Sequence, residues 1–348
     1  MKILHIDEKD YRIPNGLNDF QLHMYLHLIK WKWEHITVQP GYYKDLPYDA
    51  ILPDAYVQQG IMPHIYEPVR KHLNTHRNVN PFRIHPHFYH VVSSQAANIN
   101  LFLPALNLPH VNVIMGSIKD DFRSLAVDHL HNGYCLEYWG GNFNKSCVET
   151  GLLGDKSKSA GTDADIAIAY RNHQNELCLW LIEHKLTEEE FTSCGGYKSK
   201  GRTDKQKHDC SLKFRQILEN KSACYYHDKC GYKYWDITEQ NKDVFLNHSE
   251  RVECPFQGGM NQLWRNLLLA LALEQDNSNE FVHVTFSVVK HPLNTYYLDK
   301  SISDFQKLTG HNPRFSVFTS EELIKSAEKI QDSQTSAWAK WYREMYML

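Results

Sequence analysis

The chain has 348 residues, 42% hydrophobic and 23% charged, enough for one large domain or two ordinary ones and too apolar for a disordered chain. Its formal net charge of −3 excludes gross attraction to nucleic acid, so any such binding must come from local basic patches. Eight cysteines in so long a chain do not resemble a secreted disulfide scaffold, and neither a signal-like start nor a run of ~20 apolar residues is present, so a soluble, cytoplasmic protein with reduced thiols is expected.

In chain order, residues 1–90 read as an extension rich in Tyr, Trp, His and Pro, with a helical stretch at QLHMYLHLIKWKWEHI (21–36). HPHFYH (85–90) sets His85 and His87 on one face, but Pro86 and the lack of a nearby acid favour aromatic packing over a metal site. SSQAANINLFLPAL, from residue 93, predicts a helix capped by Ser93 or Ser94 and ended by Pro104. DDFRSLAVDHLHN (120–132) predicts a second helix, stopped by Gly133.

Strands are then expected at 134–139, 165–170 and 176–184, the last two joined as a hairpin through the turn RNHQN. A long polar insertion (186–257) is followed by a periodic helix, NQLWRNLLLALALEQ (261–275), and a strand at 280–289. EELIKSAEKI (321–330) and SAWAKWYREMY (336–346) read as two amphipathic helices. The order predicts an α/β domain over residues 91–348 that ends in C-terminal helices.

The charged residues of the hairpin sit only at its open end. Strand side chains alternate, so Asp163 and Asp165 share a face, as do Glu183 and Lys185. Pairing the two strands brings Asp165 and Glu183 together, with Lys185 beside them. Converging carboxylates repel each other, and a hard divalent cation relieves that repulsion by using both as oxygen ligands. A lysine next to such an ion can hold a water and neutralise charge on a phosphate, which suits metal-assisted phosphodiester hydrolysis.

Asp165 and then, 18 positions on, Glu183-His184-Lys185 resembles the PD-(D/E)XK nuclease superfamily. SSQAANINLF (93–102), LEY (136–138), IEHKLTEEEF (182–191), ECPFQGGMNQLWRNLLLA (253–270) and the Trp/Tyr-rich last helix are similar to a restriction-endonuclease-like subgroup of it. The resemblance implies a helix, three strands, a helix and a strand (αβββαβ), a mixed sheet flanked by helices, and a Mg²⁺-dependent deoxyribonuclease, with Mn²⁺ as a substitute and a role in defence. It assigns Asp165, Glu183 and the backbone carbonyl of His184 as metal ligands and Lys185 as the residue that positions the attacking water. The leading Pro-Asp of the superfamily is Ala164-Asp165 here, Asp163 is an alternative ligand, and Glu137 or Glu149 could add a further acid. Residues 1 to about 80 lie outside the resemblance.

Gln262 opens the periodic helix and could face the site, sharing a face with Arg265 toward a phosphate. The basic run KSKGRTDKQK (198–207) could grip a DNA backbone. Some nucleases of the superfamily carry a metal-stapled insertion, which makes Cys194, Cys210, Cys230 and Cys254 candidates for structural zinc or an iron–sulfur cluster, although no C-x₂-C pair is present. DNA is the expected partner, no membrane is, and a homodimer would supply the two sites that double-strand cutting needs. The alternatives are a repair or recombination nuclease acting on ends or single strands, and a non-catalytic DNA-binding module of the same fold.

Overall fold

The computed structural model describes residues 1–140, 151–156, 161–198, 208, 210–247, 253–278 and 280–348. Its centre is a six-stranded mixed sheet. The strands are β5 (Ser124–Leu125), β6 (Tyr134–Tyr138), β7 (Ala164–Arg171), β8 (Leu177–Lys185), β9 (His283–Lys290) and β10 (Phe315–Thr319). They run in the order β10-β9-β8-β7-β5, with β6 also paired to β7. β7 and β8 form the expected antiparallel hairpin, while β8, β9 and β10 are parallel neighbours. All nine residues of β8, LCLWLIEHK, are buried. Helices cover both faces of the strand, so its apolar run is continuous instead of alternating.

One face carries α1 (Asp19–His35), α3 (Arg70–Val79), α4 (Ser94–Asn107) and α5 (Val111–Gly116), while α2 (Asp54–Gln59) buries no residue. Met24 and Leu28 of α1 share its core with Ile166, Trp180 and Ile182 of the sheet and with Trp338 and Tyr342 near the C-terminus. The other face carries α6 (Gly195–Lys198), α7 (Phe214–Glu219), α8 (Tyr225–Asp228), α9 (Tyr234–Gln240), α10 (Asn261–Gln275) and α11 (Tyr296–Leu308). There Leu263, Leu267 and Leu271 of α10 pack on Ala167, Leu179 and Leu181. The expected terminal helices are α12 (Ser320–Glu328) and α13 (Ser333–Tyr346), and they pack with the first face.

Two helix expectations need correction. Ser93 caps α4, accepting a hydrogen bond from the Ala96 amide at 3.3 Å, but Pro104 does not end the helix, which runs on to Asn107. Proline at 104 leaves the Asn100 carbonyl without its helical donor. The indole Nε1 of Trp338 donates to that carbonyl at 2.9 Å, so the C-terminal helix supplies the missing partner. Residues 120–132 do not form a helix. Ser124 and Leu125 pair with Arg171 and Tyr170 as β5, and Phe122 and Ala126 are buried in different cores, one on each side of the sheet.

Two hairpins near the N-terminus, β1 (Lys2–Ile6) with β2 (Lys9–Ile13) and β3 (Gly41–Tyr43) with β4 (Leu46–Tyr48), had no clear sequence signal. Both turn on two residues of positive φ, Asp7-Glu8 and Lys44-Asp45, the backbone of a type I′ turn without its usual Asn-Gly. Among the described residues no helix is long and apolar enough to cross a membrane.

Candidate active site

The ladder between β7 and β8 sets the site. Ile166 lies opposite Ile182, so Asp165 and Glu183 are the next pair outward. Side chains directly opposite on antiparallel strands have Cβ atoms roughly 5 Å apart. On β6, Leu136 lies opposite Ile166 and Tyr138 opposite Ala164, which brackets Glu137 near Asp165 although Glu137 is not itself a ladder partner. Three acids are therefore gathered at this end of three adjacent strands, close enough for Glu137 to act electrostatically on Asp165.

Glu137 reaches the row by an unusual backbone. Its φ is 51°, a left-handed conformation rare for a residue other than glycine. That breaks the alternation of β6, for Cys135 and Tyr138, three apart, join the same core. Gln95 of α4 then donates to Glu137 Oε1 at 2.8 Å, so the acid is held from one sheet face while electrostatically coupled to Glu183 and Asp163.

Glu183 is 4% exposed and Lys185 6%. Lys185 Nζ lies 3.0 Å from Glu183 Oε1 and donates to Gln262 Oε1 at 2.8 Å. Gln262 Nε2 donates back to Glu183 Oε1 at 2.6 Å, and Asn266 Nδ2 donates to Glu183 Oε2 at 3.0 Å. Helix α10 thus presents two amides four residues apart to one carboxylate. The backbone N–H of Gln262 donates to the Phe191 carbonyl at 2.9 Å, fixing where the helix begins.

Asp165 Oδ2 accepts from the backbone amide of His184 at 2.6 Å. The amide and carbonyl of one residue in an antiparallel ladder point to the same neighbour, which turns the His184 carbonyl toward the Asp165 edge. The His184 ring is buried on the opposite face, with both nitrogens unpartnered. Burial, then His291 and Lys185, lower its pKa to about 3, so the ring is neutral.

The acids are held against their own ionisation. Burial, then Glu183 and Glu137, push Asp165 well above the usual carboxylate range, with Lys185 and the His184 amide opposing. Burial also raises Glu183 despite Lys185, and it raises Glu137 to about 8, with Asp163 adding to the effect. Lys185 rises even though burial works against it, because Glu183, Glu188 and Asp165 surround it. Lys185 is therefore a cation at neutral pH, set among the acids Glu183, Glu188 and Asp165. Asp165 and Glu137 keep partial solvent contact, so the row opens outward.

This donor set suits a hard cation. The carboxylates are oxygen donors whose mutual repulsion a divalent ion would remove. Among the described residues no group of three or more His, Cys, Asp and Glu side chains is arranged to hold a metal. An ion here would rest on two carboxylates, a backbone carbonyl and water, the mode Mg²⁺ uses.

The structure brings Asp165, Glu183, Lys185 and Gln262 together. Asp163 pairs instead with Lys156 at 3.3 Å. Arg265 turns away from Gln262, donating to Thr162 Oγ1 at 3.4 Å beside Asp155 and Tyr234. The residue sharing the face of Gln262 is Asn266, which sequence reasoning passed over inside an apolar helix, although an i, i+4 polar pair was there to be seen. Glu188, which acts electrostatically on Glu183 and Lys185, was also missed. Glu149 and all of the basic run beyond Lys198 lie outside the described residues. The electrostatic neighbours of Cys254 are Cys194, Cys210 and Cys224, whereas Cys230 neighbours Cys224.

A family model described as "Restriction Endonuclease associating with ARP" matches residues 29–347. No curated protein and no solved structure matches the chain.

Proposed function

The chain belongs to the family of restriction endonucleases associating with ARP, and from that premise we propose a divalent-metal-dependent endonuclease that hydrolyses phosphodiester bonds in DNA. The observation that carries the reading is the pairing of partly exposed Asp165 with buried Glu183, in register on neighbouring strands, with the Lys185 ammonium 3.0 Å from Glu183. The sequence of α4, β6, β7, β8, α10 and β9 supports a restriction-endonuclease-like core, since it follows the αβββαβ order.

Asp165, Glu183 and the His184 carbonyl would hold Mg²⁺ or Mn²⁺. When bound, the ion supplies an acidified water and neutralises charge developing on the phosphate. Lys185, kept protonated by its acidic neighbours, orients the attacking oxygen as a hydrogen-bond donor. Gln262 and Asn266 fix the Glu183 carboxylate so that its oxygens do not rotate out of the site. Cutting both strands needs two such sites, which a homodimer supplies.

The test is incubation of the purified protein with plasmid in Mg²⁺ and in EDTA. Nicking is expected in Mg²⁺ alone and lost in Glu183→Ala and Lys185→Ala. Calorimetric titration with Mn²⁺ gives a second readout, since Asp165→Ala should abolish ion binding whether or not DNA is cut. Wild-type protein that never nicks DNA under any divalent cation would sink the endonuclease reading.

A further inference from the structure

A cavity of about 430 Å³ is lined by none of the acids Glu137, Asp165 and Glu183 of the candidate active site and plays no part in the proposed reaction. Its walls come from segments far apart in the chain. The β3–β4 hairpin supplies Tyr43 and Tyr48, the segment HPHFYH supplies His85, His87 and His90, and the residues just past Lys185 supply Glu188. The hairpin is firmly seated. Asp49, fully buried, accepts from the Arg12 amide at 2.7 Å and from its guanidinium at 2.8 and 3.2 Å. Gly41 lies against Ile51 and Leu52 so closely that a Cβ would fall 2.3 Å from the Leu52 carbonyl oxygen.

The lining chemistry selects a ligand class. The Tyr43 ring meets His87 at 5.6 Å between centroids, and His87 lies 5.2 Å from His85 and 4.7 Å from His90. Burial and the neighbouring rings lower His85 and bring His90 to about 4, leaving both neutral near pH 7. Among the described residues no lysine or arginine lines the cavity, and the carboxylate of Glu188 does. The described lining offers a phosphate no lysine or arginine, although Arg83 acts on His85 from outside it. Flat rings, neutral imidazoles and an acceptor carboxylate instead suit an uncharged, planar heterocycle with amino or imino donors on its edge. The volume falls in the lower part of the range of about 300–1,000 Å³ typical of small-molecule sites.

The cavity is coupled to the candidate active site. Glu188 follows Lys185 by three residues, no more than about 10 Å of extended chain. Gln95 joins the two by its amide, accepting from the His85 backbone at 2.9 Å while donating to Glu137 at 2.8 Å. We propose that this cavity receives a nucleobase of the DNA substrate, turned out of its stack, with the ring against Tyr43 and His87 and its edge read by Glu188. The proposal rests on the endonuclease reading above. It gives the first 90 residues a task in substrate selection, since an enzyme that extrudes a base offsets the lost stacking in a pocket of this kind.

The experiment is saturation-transfer difference NMR with the four 2′-deoxynucleosides, which carry no phosphate, on metal-free protein. Transfer to the base protons of at least one nucleoside is expected, about tenfold weaker in Tyr43→Ala and His87→Ala and retained in Tyr43→Phe. Inorganic phosphate should not displace it. Tyr43 is 44% exposed and His87 is part-exposed, and thermal melts of both variants check that they fold. Absence of transfer from every nucleoside, transfer unchanged in both alanine variants, or displacement by phosphate each overturns the proposal. Plasmid cleavage by the same preparations keeps the two readings apart: nucleoside binding without cutting removes the endonuclease and keeps the cavity, and cutting without nucleoside binding does the reverse.

Discussion

The β7–β8 hairpin has two ends built by one ladder, and they handle charge in opposite ways. At the turn, Asn172 Oδ1 accepts from the amides of Gln174 at 3.0 Å and Glu176 at 2.8 Å, and its Nδ2 donates to Glu176 Oε2 at 2.8 Å. Arg171 and Asp128 pair there at 3.0 Å with 30% and 59% of their side chains exposed. At the open end, Glu183 and Lys185 pair with only 5% and 8% exposed, among acids whose ionisation burial opposes. The turn end is arranged for the fold alone. The open end keeps ionisable groups where folding by itself would not place them, which is how a site prepared for a charged ligand differs from a structural ion pair.

The largest effect should come from Asp165→Asn. Asparagine keeps an oxygen for the His184 amide but removes an ionisable group whose charged form burial and its acidic neighbours oppose. Cleavage should fall about a thousandfold or more, while the melting temperature in EDTA rises. A variant that loses both activity and stability would break the contrast, because Asp165 would then be structural like Asn172. Next in size is Asn266→Ala, which frees one oxygen of Glu183 while Gln262 still holds the other. A loss of about 10- to 100-fold in cleavage or Mn²⁺ affinity is expected, partly recovered in Asn266→Gln. Unchanged Mn²⁺ affinity would remove Asn266 from the site.

A pH scan sharpens the contrast without mutation. Burial, then Asp163 and Glu183, raise Glu137 to about 8, so the folded protein keeps a proton that the unfolded chain releases near 4.5. Stability of the metal-free protein should therefore fall as pH rises toward 8, by up to about 2 kcal/mol from Glu137 between pH 6.5 and 8. The buried histidines act in the opposite sense, but elsewhere. His64 and His184 near 3, and His76, His90 and His291 near 4, add stability as pH rises to 6.5 and nothing beyond it. Lys32, lowered to about 8, contributes only above the window. Mg²⁺ should flatten the slope by favouring ionised carboxylates, and equal slopes in Mg²⁺ and EDTA would argue against ion binding at the row.

Much of the open end was legible in the sequence, for a physical reason. Two apolar runs with charges at one end of each can pair in few ways, and side-chain alternation then puts Asp165, Glu183 and Lys185 on one face. The rest depended on partners distant in the chain. Nothing near Pro104 tells that Trp338 will satisfy the carbonyl it frees, and nothing near LEY tells that Glu137 adopts a positive φ. Asn266 was hidden by its own helix, whose leucines read as core and are core. Within residues 1–90 the helix at 21–36 was legible and is α1, but the two hairpins were opaque because they turn on Asp-Glu and Lys-Asp, pairs that carry no turn signal of their own.

The smallest predicted effect closes the comparison from the turn end. Asn172 is 5% exposed, and its side chain makes three hydrogen bonds that substitute for ladder bonds where the strands part. Asn172→Ala leaves the amides of Gln174 and Glu176 to find water, which the loop position allows, so the loss should be about 1 kcal/mol, with the same sign in EDTA and in Mg²⁺. Cleavage and the pH slope should be unchanged, because the turn lies at the far end of the strands from Asp165 and Glu183. Chemical denaturation with and without Mg²⁺ measures this directly. A metal-dependent loss in this variant would mean that the two ends of the hairpin are energetically one unit, and the division of labour between them would fail.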